Sequence, residues 1–346
     1  MNATEGPMIR FVDVTKRYDD GAAAVDGISL DVPRGAIVAL VGPSGCGKTT
    51  TLKMVNRLIE PTSGQLFVDG SDVTGGDVVA LRRRIGYVIQ SSGLFPHRTV
   101  EDNVATVLTL LGWDARRRRT RVLELLELVG LDPDVYAKRY PQQLSGGQRQ
   151  RVGVARALAA DPPVLLMDEP FGALDPLVRE RLQVEFARLQ RDLGKTVLFV
   201  THDIEEAIRL GDSVAVMNNG RLEQYATPAD LLAAPATDFV ADFLGGERAL
   251  RRLAVTALPL DRLEPFHTAA DTLPRVPADS SARGALSAMI AAGSDAVVVE
   301  RDDEPIGVLS LMDVGRAATR RDGAGISGEA REDRTEPPDL SDRRHG

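Results

Sequence analysis

Short unbroken apolar runs recur along the chain, each followed by Gly, Thr or an acid. Ala36-Ile37-Val38-Ala39-Leu40-Val41 reads as a buried strand, Val164-Leu165-Leu166-Met167 as a central parallel strand and Thr196 to Val200 as a further one. Helical spacing alternates with them. Thr50 to Val55 reads as a helix, and Arg121 to Val129 places Val122, Leu125, Leu126 and Val129 on one face before Gly130 stops it. Val152, Ala155 and Leu158 share another helical face, closed by Asp161-Pro162-Pro163, and Pro176 to Leu193 follows as a long helix. Residues 8–14 and 25–32 alternate apolar and polar around Asp19-Asp20-Gly21, so antiparallel strands are expected at the start. Pro61-Thr62-Ser63-Gly64 breaks the pattern before a strand at Gln65 to Asp69, and Ile85 to Ile89 is a strand ending at Gln90. The class is therefore α/β: a central, mostly parallel sheet, an antiparallel β subdomain and a helical subdomain within 100–140.

Gly42-Pro43-Ser44-Gly45-Cys46-Gly47-Lys48-Thr49 lies between the first buried strand and its helix, which is the order of a P-loop. Its glycines let backbone N–H groups turn toward a polyphosphate, and the helix adds the positive end of its dipole. Lys48 then reaches the β- and γ-phosphates, and the Thr49 hydroxyl suits Mg²⁺. The run 164–167 delivers Asp168 and Glu169 to the carboxyl edge of the sheet, where ligands gather. A bare acid pair there caps a helix about as readily as it does chemistry. Beside a P-loop, Asp168 suits Mg²⁺, directly or through water, and Glu169 suits proton acceptance from an attacking water. His202 ends the next strand at the same edge, within reach of a γ-phosphate. Gln90 is either a Mg²⁺ or water contact or an ordinary loop residue, and Tyr18 either stacks on a nucleobase or is an edge-strand tyrosine. Ser145 and Gln148 fit a capping box, and the intervening Gly146 and Gly147 bare the helix N-terminus as a second anion site.

Charge and cysteine content narrow the picture. The single cysteine, Cys46, excludes an intramolecular disulfide and fits a reducing compartment. A net charge of −8 argues against general nucleic-acid binding, and the runs Arg82–Arg84 and Arg116–Arg119 read as solvated faces. No signal-peptide pattern opens the chain, and no apolar run approaches the ~18 residues that would span a bilayer. A soluble chain is expected, with any membrane role needing a partner subunit.

With the P-loop, Gln90, LSGGQ at 144–148, VLLMDEP at 164–170, ALD at 173–175 and His202 together, residues 8–245 resemble the ATPase subunit of an ATP-binding cassette (ABC) transporter. The resemblance implies a P-loop NTPase cassette and a head-to-tail homodimer. Two ATP molecules, with Mg²⁺, would lie between one chain's P-loop, through Thr50, and the other's LSGGQ. By the same resemblance Tyr18 would stack on adenine, and Gln90 would sense the γ-phosphate through Mg²⁺. Glu169 would be the general base, His202 would contact the γ-phosphate, and Asp175 would act across the interface. TLKMVNRLIEPTSG at 51–64 and IGYVIQSSGLFPHRTVEDNV at 85–104 look most like importers of glycine betaine, choline, carnitine or proline betaine. Partners implied are an integral-membrane permease, whose coupling helix would meet Leu94-Phe95-Pro96, and an extracytoplasmic substrate-binding protein. The location implied is the cytoplasmic face of the membrane. Import of another small polar solute, such as an amino acid, is the alternative. A soluble ABC ATPase acting on nucleic acid is disfavoured by the single cassette and the absence of a Cys cluster or heptad repeat. A cassette that no longer hydrolyses ATP is disfavoured by intact Asp168, Glu169 and His202.

Beyond Gly245-Gly246 the nucleotide motifs end. Residues 246–272 are expected as a linker, 273–318 resemble one cystathionine-β-synthase-like (CBS) module, and 319–346 are expected as a disordered tail. A single copy either shares a ligand cleft with a second copy or serves dimer contacts.

Overall fold

Every residue of β3 (Ile37–Val41) is buried, as a strand requires when it has neighbours on both sides and helices on both faces. The computed structural model describes residues 6–18, 21–90, 93–172, 174–266 and 268–319. Asp19, Asp20, Ser91, Ser92, Ala173 and all of the expected tail except Thr319 lie outside them.

The first sheet is antiparallel, in the order β2 (Ala23–Val32), β1 (Ile9–Arg17), β4 (Ser63–Val68), β5 (Ser71–Asp72). The second has six strands. Its order is β10 (Arg221–Ala226), β9 (Ser213–Asn218), β3, β8 (Thr196–Val200), β7 (Val164–Asp168), β6 (Ile85–Val88). All neighbours run parallel except β10, which pairs antiparallel with β9. β3, β8 and β7 lie adjacent and parallel, so the P-loop, His202 and the Asp168-Glu169 pair leave the sheet at one edge.

Two cores flank this sheet. One holds Ile9, Phe11, Leu40, Leu52, Met54, Leu66 and Leu166 between the two sheets. The other holds Val104, Leu125, Leu126, Leu158 and Phe199 beneath the helices. Full burial of a side chain the size of Leu125 contributes about 2–3 kcal/mol. The helical subdomain contains the helices Val100–Leu110 and Ala115–Leu128 and a single turn at Pro133–Tyr136. The second begins earlier than its apolar spacing suggests, because Asp114 caps it by accepting from the Arg117 N–H at 2.9 Å. Arg116–Arg119 thus form its first turns. Arg82 and Arg84 are not simply solvated: Arg82 donates to the carbonyls of Asn56 and Arg57, and Arg84 pairs with Asp69.

The stretch 246–272, expected as a linker, instead folds. It contains the helix Arg248–Val255, and Leu253, Leu258 and Leu263 pack into the core of the carboxyl-terminal unit. The sequence hides this because the helix has eight residues and its second apolar side, Leu250, is exposed. The unit's sheet runs β11 (Arg275–Pro277), β12 (Ala296–Arg301), β13 (Glu304–Ser310), with helices Ala282–Ala292 and Leu311–Thr319.

Candidate active site

Gly42, Gly45 and Gly47 adopt φ of 150°, 81° and 100°, which bend the chain from β3 into the helix Lys48–Val55. Two of them also lack room for a side chain. A Cβ on Gly42 would fall 2.1 Å from the Met217 carbonyl oxygen, and one on Gly47 2.1 Å from that of Ala24. Lys48 is buried, and its ammonium donates to the carbonyls of Gly42 at 2.7 Å and Pro43 at 2.8 Å. Its charge is therefore stored inside the loop.

Thr49, the second residue of that helix, donates its hydroxyl to Asp168 Oδ1 at 3.0 Å. Asp168 is buried, and burial pushes its carboxyl upward, against the opposing Thr49 hydrogen bond and the charge of Lys53. Beside it the Tyr87 hydroxyl is pushed up to about 12, first by burial and then by the Asp168 charge. Glu169 sits one step beyond β7 with φ of 45°, a left-handed conformation uncommon for a non-glycine residue. Its N–H donates to the Val200 carbonyl at 3.0 Å, tying it to the end of β8. One carboxylate oxygen accepts from the Gln90 amide at 2.8 Å, and the other lies 3.4 Å from His202 Nδ1. The His202 side chain is 60% exposed and Glu169 23%, so the pair faces solvent over the loop.

The structure thus joins five of the residues singled out by sequence: Thr49 with Asp168, and Gln90 and His202 with Glu169. Ser44, Cys46 and Thr50 belong to the same loop and helix. The group at 145–148 stands apart. Ser145 caps the helix Gly146–Leu158, Gln148 completes the capping box, and the Gln148 amide donates to the Tyr136 hydroxyl at 3.0 Å. Among the described residues, no hydrogen bond connects it to the P-loop. Tyr18 is 46% exposed with Lys16 over its ring at 5.3 Å, and Asp175 caps the helix Pro176–Leu193 by accepting from Val178 N–H at 3.1 Å.

Sequence reasoning missed one acid. Glu206, in the helix Ile204–Leu210, is buried with only one carboxylate oxygen bonded, to the Thr201 hydroxyl at 2.8 Å. Read as a first-turn helical acid it looks solvated, and its spacing four residues after His202 was the available signal.

The donor set suits a hard cation held jointly with phosphate. Thr49 and Asp168 offer adjacent oxygens, the ligand type of Mg²⁺. Among the described residues there is no group of three His, Cys, Asp or Glu that would hold a metal alone.

A family model described as ABC transporter matches residues 25–172. Over 309 residues the chain is 44% identical to a glycine betaine uptake system ATP-binding protein of Escherichia coli, covering 89% of this chain and 99% of that one. The chain belongs to the ABC transporter family. It is also 51% identical to an osmoprotectant import ATP-binding protein of Salmonella typhimurium, over 77% of this chain and 71% of that one. A glycine betaine/carnitine/choline transport ATP-binding protein of Bacillus subtilis is 53% identical over 70% of this chain. This ABC chain spans 64% of that relative's length. Among solved structures, it resembles a dimeric ATP-binding cassette in a post-hydrolysis state bound to ADP and Pi. That match has a TM-score of 0.58 at 34% identity and covers 64% of this chain and 99% of that one. The cassette fold expected from the sequence is thus present, and the family's cassettes bind ATP.

Proposed function

We propose that this chain hydrolyses ATP to drive import of a quaternary-amine osmoprotectant through a separate membrane permease. The observation that carries the hydrolytic reading is Glu169, held at the sheet edge between Gln90 and His202, beside the Thr49–Asp168 pair. In this reading the P-loop N–H groups and Lys48 hold the β- and γ-phosphates. Thr49, Asp168 and Gln90 are the residues that would hold Mg²⁺, which when bound supplies charge neutralisation on the phosphates. Glu169 accepts the proton of the attacking water, and His202 steadies the γ-phosphate. Tyr18 stacks on adenine.

The exposed amino end of the helix Gly146–Leu158 is the second anion site, and it serves a partner chain's ATP in a head-to-tail homodimer. Ser145, Gly146, Gly147 and Gln148 would contact the γ-phosphate, and Asp175 would work across the same interface. Support comes from the dimeric cassette structures this chain resembles. Closing the dimer completes the site and excludes water, and hydrolysis reopens it.

The amine assignment rests on relatives named for glycine betaine, carnitine, choline and osmoprotectant transport. The permease would dock at a cavity of about 300 Å³ lined by Arg83, Ile85, Tyr87, Ile89, Phe95 and Arg156. No described helix is long and apolar enough to cross a membrane, in keeping with a subunit that works from the cytoplasmic face. The carboxyl-terminal unit is read as a single CBS-like module whose boundary begins near Arg248 rather than at residue 273.

The test is the ATPase rate of this subunit reconstituted with its permease and binding protein, with and without glycine betaine, choline and carnitine. Stimulation by one of them supports the reading. Hydrolysis that none of them changes moves the solute to another class.

A further inference from the structure

Two buried polar atoms near the site have no hydrogen-bond partner among the described residues: Glu206 Oε1 and Arg179 Nε. They lie within one polar cluster that the catalytic reading does not use. Thr201 stands at its centre, at the end of β8 immediately before His202. The Thr201 N–H donates to the Leu40 carbonyl of β3 at 3.1 Å, and its hydroxyl donates to Glu206 Oε2 at 2.8 Å while accepting from the Asp203 N–H at 3.0 Å. Asp203 caps the helix Ile204–Leu210 and lies 3.5 Å from Arg179. Arg179, from the helix Pro176–Leu193, also donates to the Leu174 carbonyl at 3.0 Å, one residue before Asp175.

We propose that Glu206 is a positioning residue for hydrolysis: it fixes the His202 turn through Thr201 and, by pairing with Arg179, locks that turn to the one ending at Asp175. A buried carboxylate with one free oxygen and a part-exposed guanidinium whose Nε alone is buried without a partner each carry a desolvation cost. An approach of Arg179 Nε to Glu206 Oε1 would satisfy both at once. The bracket then has two arrangements, loose with both atoms unpaired and tight with the pair formed. Pairing requires the ionised carboxylate. The charged groups facing it are Arg179, which favours ionisation, and Asp203 and Glu169, which oppose it together with burial. Burial first, then the Asp203 charge, pushes Glu206 up to about 7 in the unpaired arrangement, so the proposed pairing should respond to pH near neutrality.

The inference rests on the reading of His202 at the γ-phosphate, and the test separates the two. ATPase rates of the full chain are measured from pH 6 to 8.5 for wild type, Glu206→Gln, Arg179→Met and His202→Ala. Glu206→Gln keeps an acceptor for Thr201 and so preserves the fold. Its kcat should match wild type within about twofold at pH 6 and fall about tenfold below it at pH 8, with KM for ATP unchanged. Arg179→Met should give the same profile, and the double variant no further loss. A Glu206→Gln profile parallel to wild type, even with a lowered melting temperature, assigns a merely structural role and overturns the proposal. Wild-type rates in His202→Ala overturn the underlying reading as well.

Discussion

Gln90 donates its side-chain amide to Glu169 Oε2 at 2.8 Å, so a residue in the turn after β6 holds the acid that follows β7. With His202 3.4 Å from the other oxygen, Glu169 is braced on both sides in a left-handed backbone conformation that costs about 1–3 kcal/mol. Such bracing leaves the carboxylate one orientation from which to take a proton. Glu169→Gln preserves size and the contact with Gln90 and removes the acceptor. Turnover should fall by about 10²–10⁴-fold. ATP affinity should persist, and the variant should elute as a dimer with ATP. Wild-type turnover would refute the assignment.

Lys48 makes a different expectation. Its ammonium already has acceptors in the loop, so removing it disturbs the loop as well as the ligand. Lys48→Ala should weaken ATP binding by about 2–3 kcal/mol, the value of a charge-assisted hydrogen bond to phosphate. Calorimetric titration measures this directly. An unchanged affinity removes Lys48 from the nucleotide site.

Two glycines of the same loop should respond unequally to alanine. Gly47 has φ of 100° and its added Cβ would lie 2.1 Å from a backbone carbonyl, whereas Gly45, at 81°, opens to space within 4 Å. Gly45→Ala should cost about 1 kcal/mol from backbone strain alone. Gly47→Ala adds a clash with backbone that has no room to yield, and should cost on the order of 3 kcal/mol or more. Urea midpoints compare the two, and equal values would contradict the packing of β2 against the loop.

What the sequence disclosed follows from how local its causes are. The P-loop, the capping box at Ser145 and Gln148 and the apolar strands are written in consecutive residues, so their elements appear where the pattern places them. The adjacency of Glu169, Gln90 and His202 depends on the order of β6, β7 and β8, which no run of consecutive residues states. Glu206 left only its spacing after His202 as a signal, because the hydroxyl it accepts from, Thr201, and the charge it faces, Arg179, lie outside its helix. The helix Arg248–Val255 resembles a linker in sequence because Leu253 gains its meaning only from contacts with the unit downstream.

Glu206 also carries a stability expectation opposite to that of an ordinary paired carboxylate. Its folded pKa, about 7, lies above that of the unfolded chain, so the folded state binds the extra proton between the usual carboxylate range and about 7. Stability contributed by this group is therefore present at low pH and lost as pH rises through that window. The full loss amounts to at most about 3 kcal/mol. Glu206→Gln abolishes it, so the variant should gain on wild type from pH 5 to pH 8 in denaturation experiments. A constant difference across that range would mean that Glu206 is ionised throughout.

Asn103 supports the surface at which a permease would dock. Wholly buried in the helix Val100–Leu110, it accepts from the Phe95 N–H at 2.7 Å and shares its two amide hydrogens among the carbonyls of Phe95, Arg98 and Thr99 at 3.1, 3.1 and 2.9 Å. One amide thus folds the whole 95–99 turn over the helix end. Asn103→Ala leaves these backbone groups without their partner, a loss of about 1–3 kcal/mol that falls on the turn carrying Phe95. Phe95 is 40% exposed and lines the cavity beside β6, so its wandering should affect docking more than hydrolysis. The isolated subunit should keep its basal ATPase within about twofold, while stimulation by the reconstituted permease should fall about tenfold, the loss expected when ~1.4 kcal/mol of docking energy disappears. Full stimulation in a variant shown to be destabilised would move the docking surface elsewhere on the cassette.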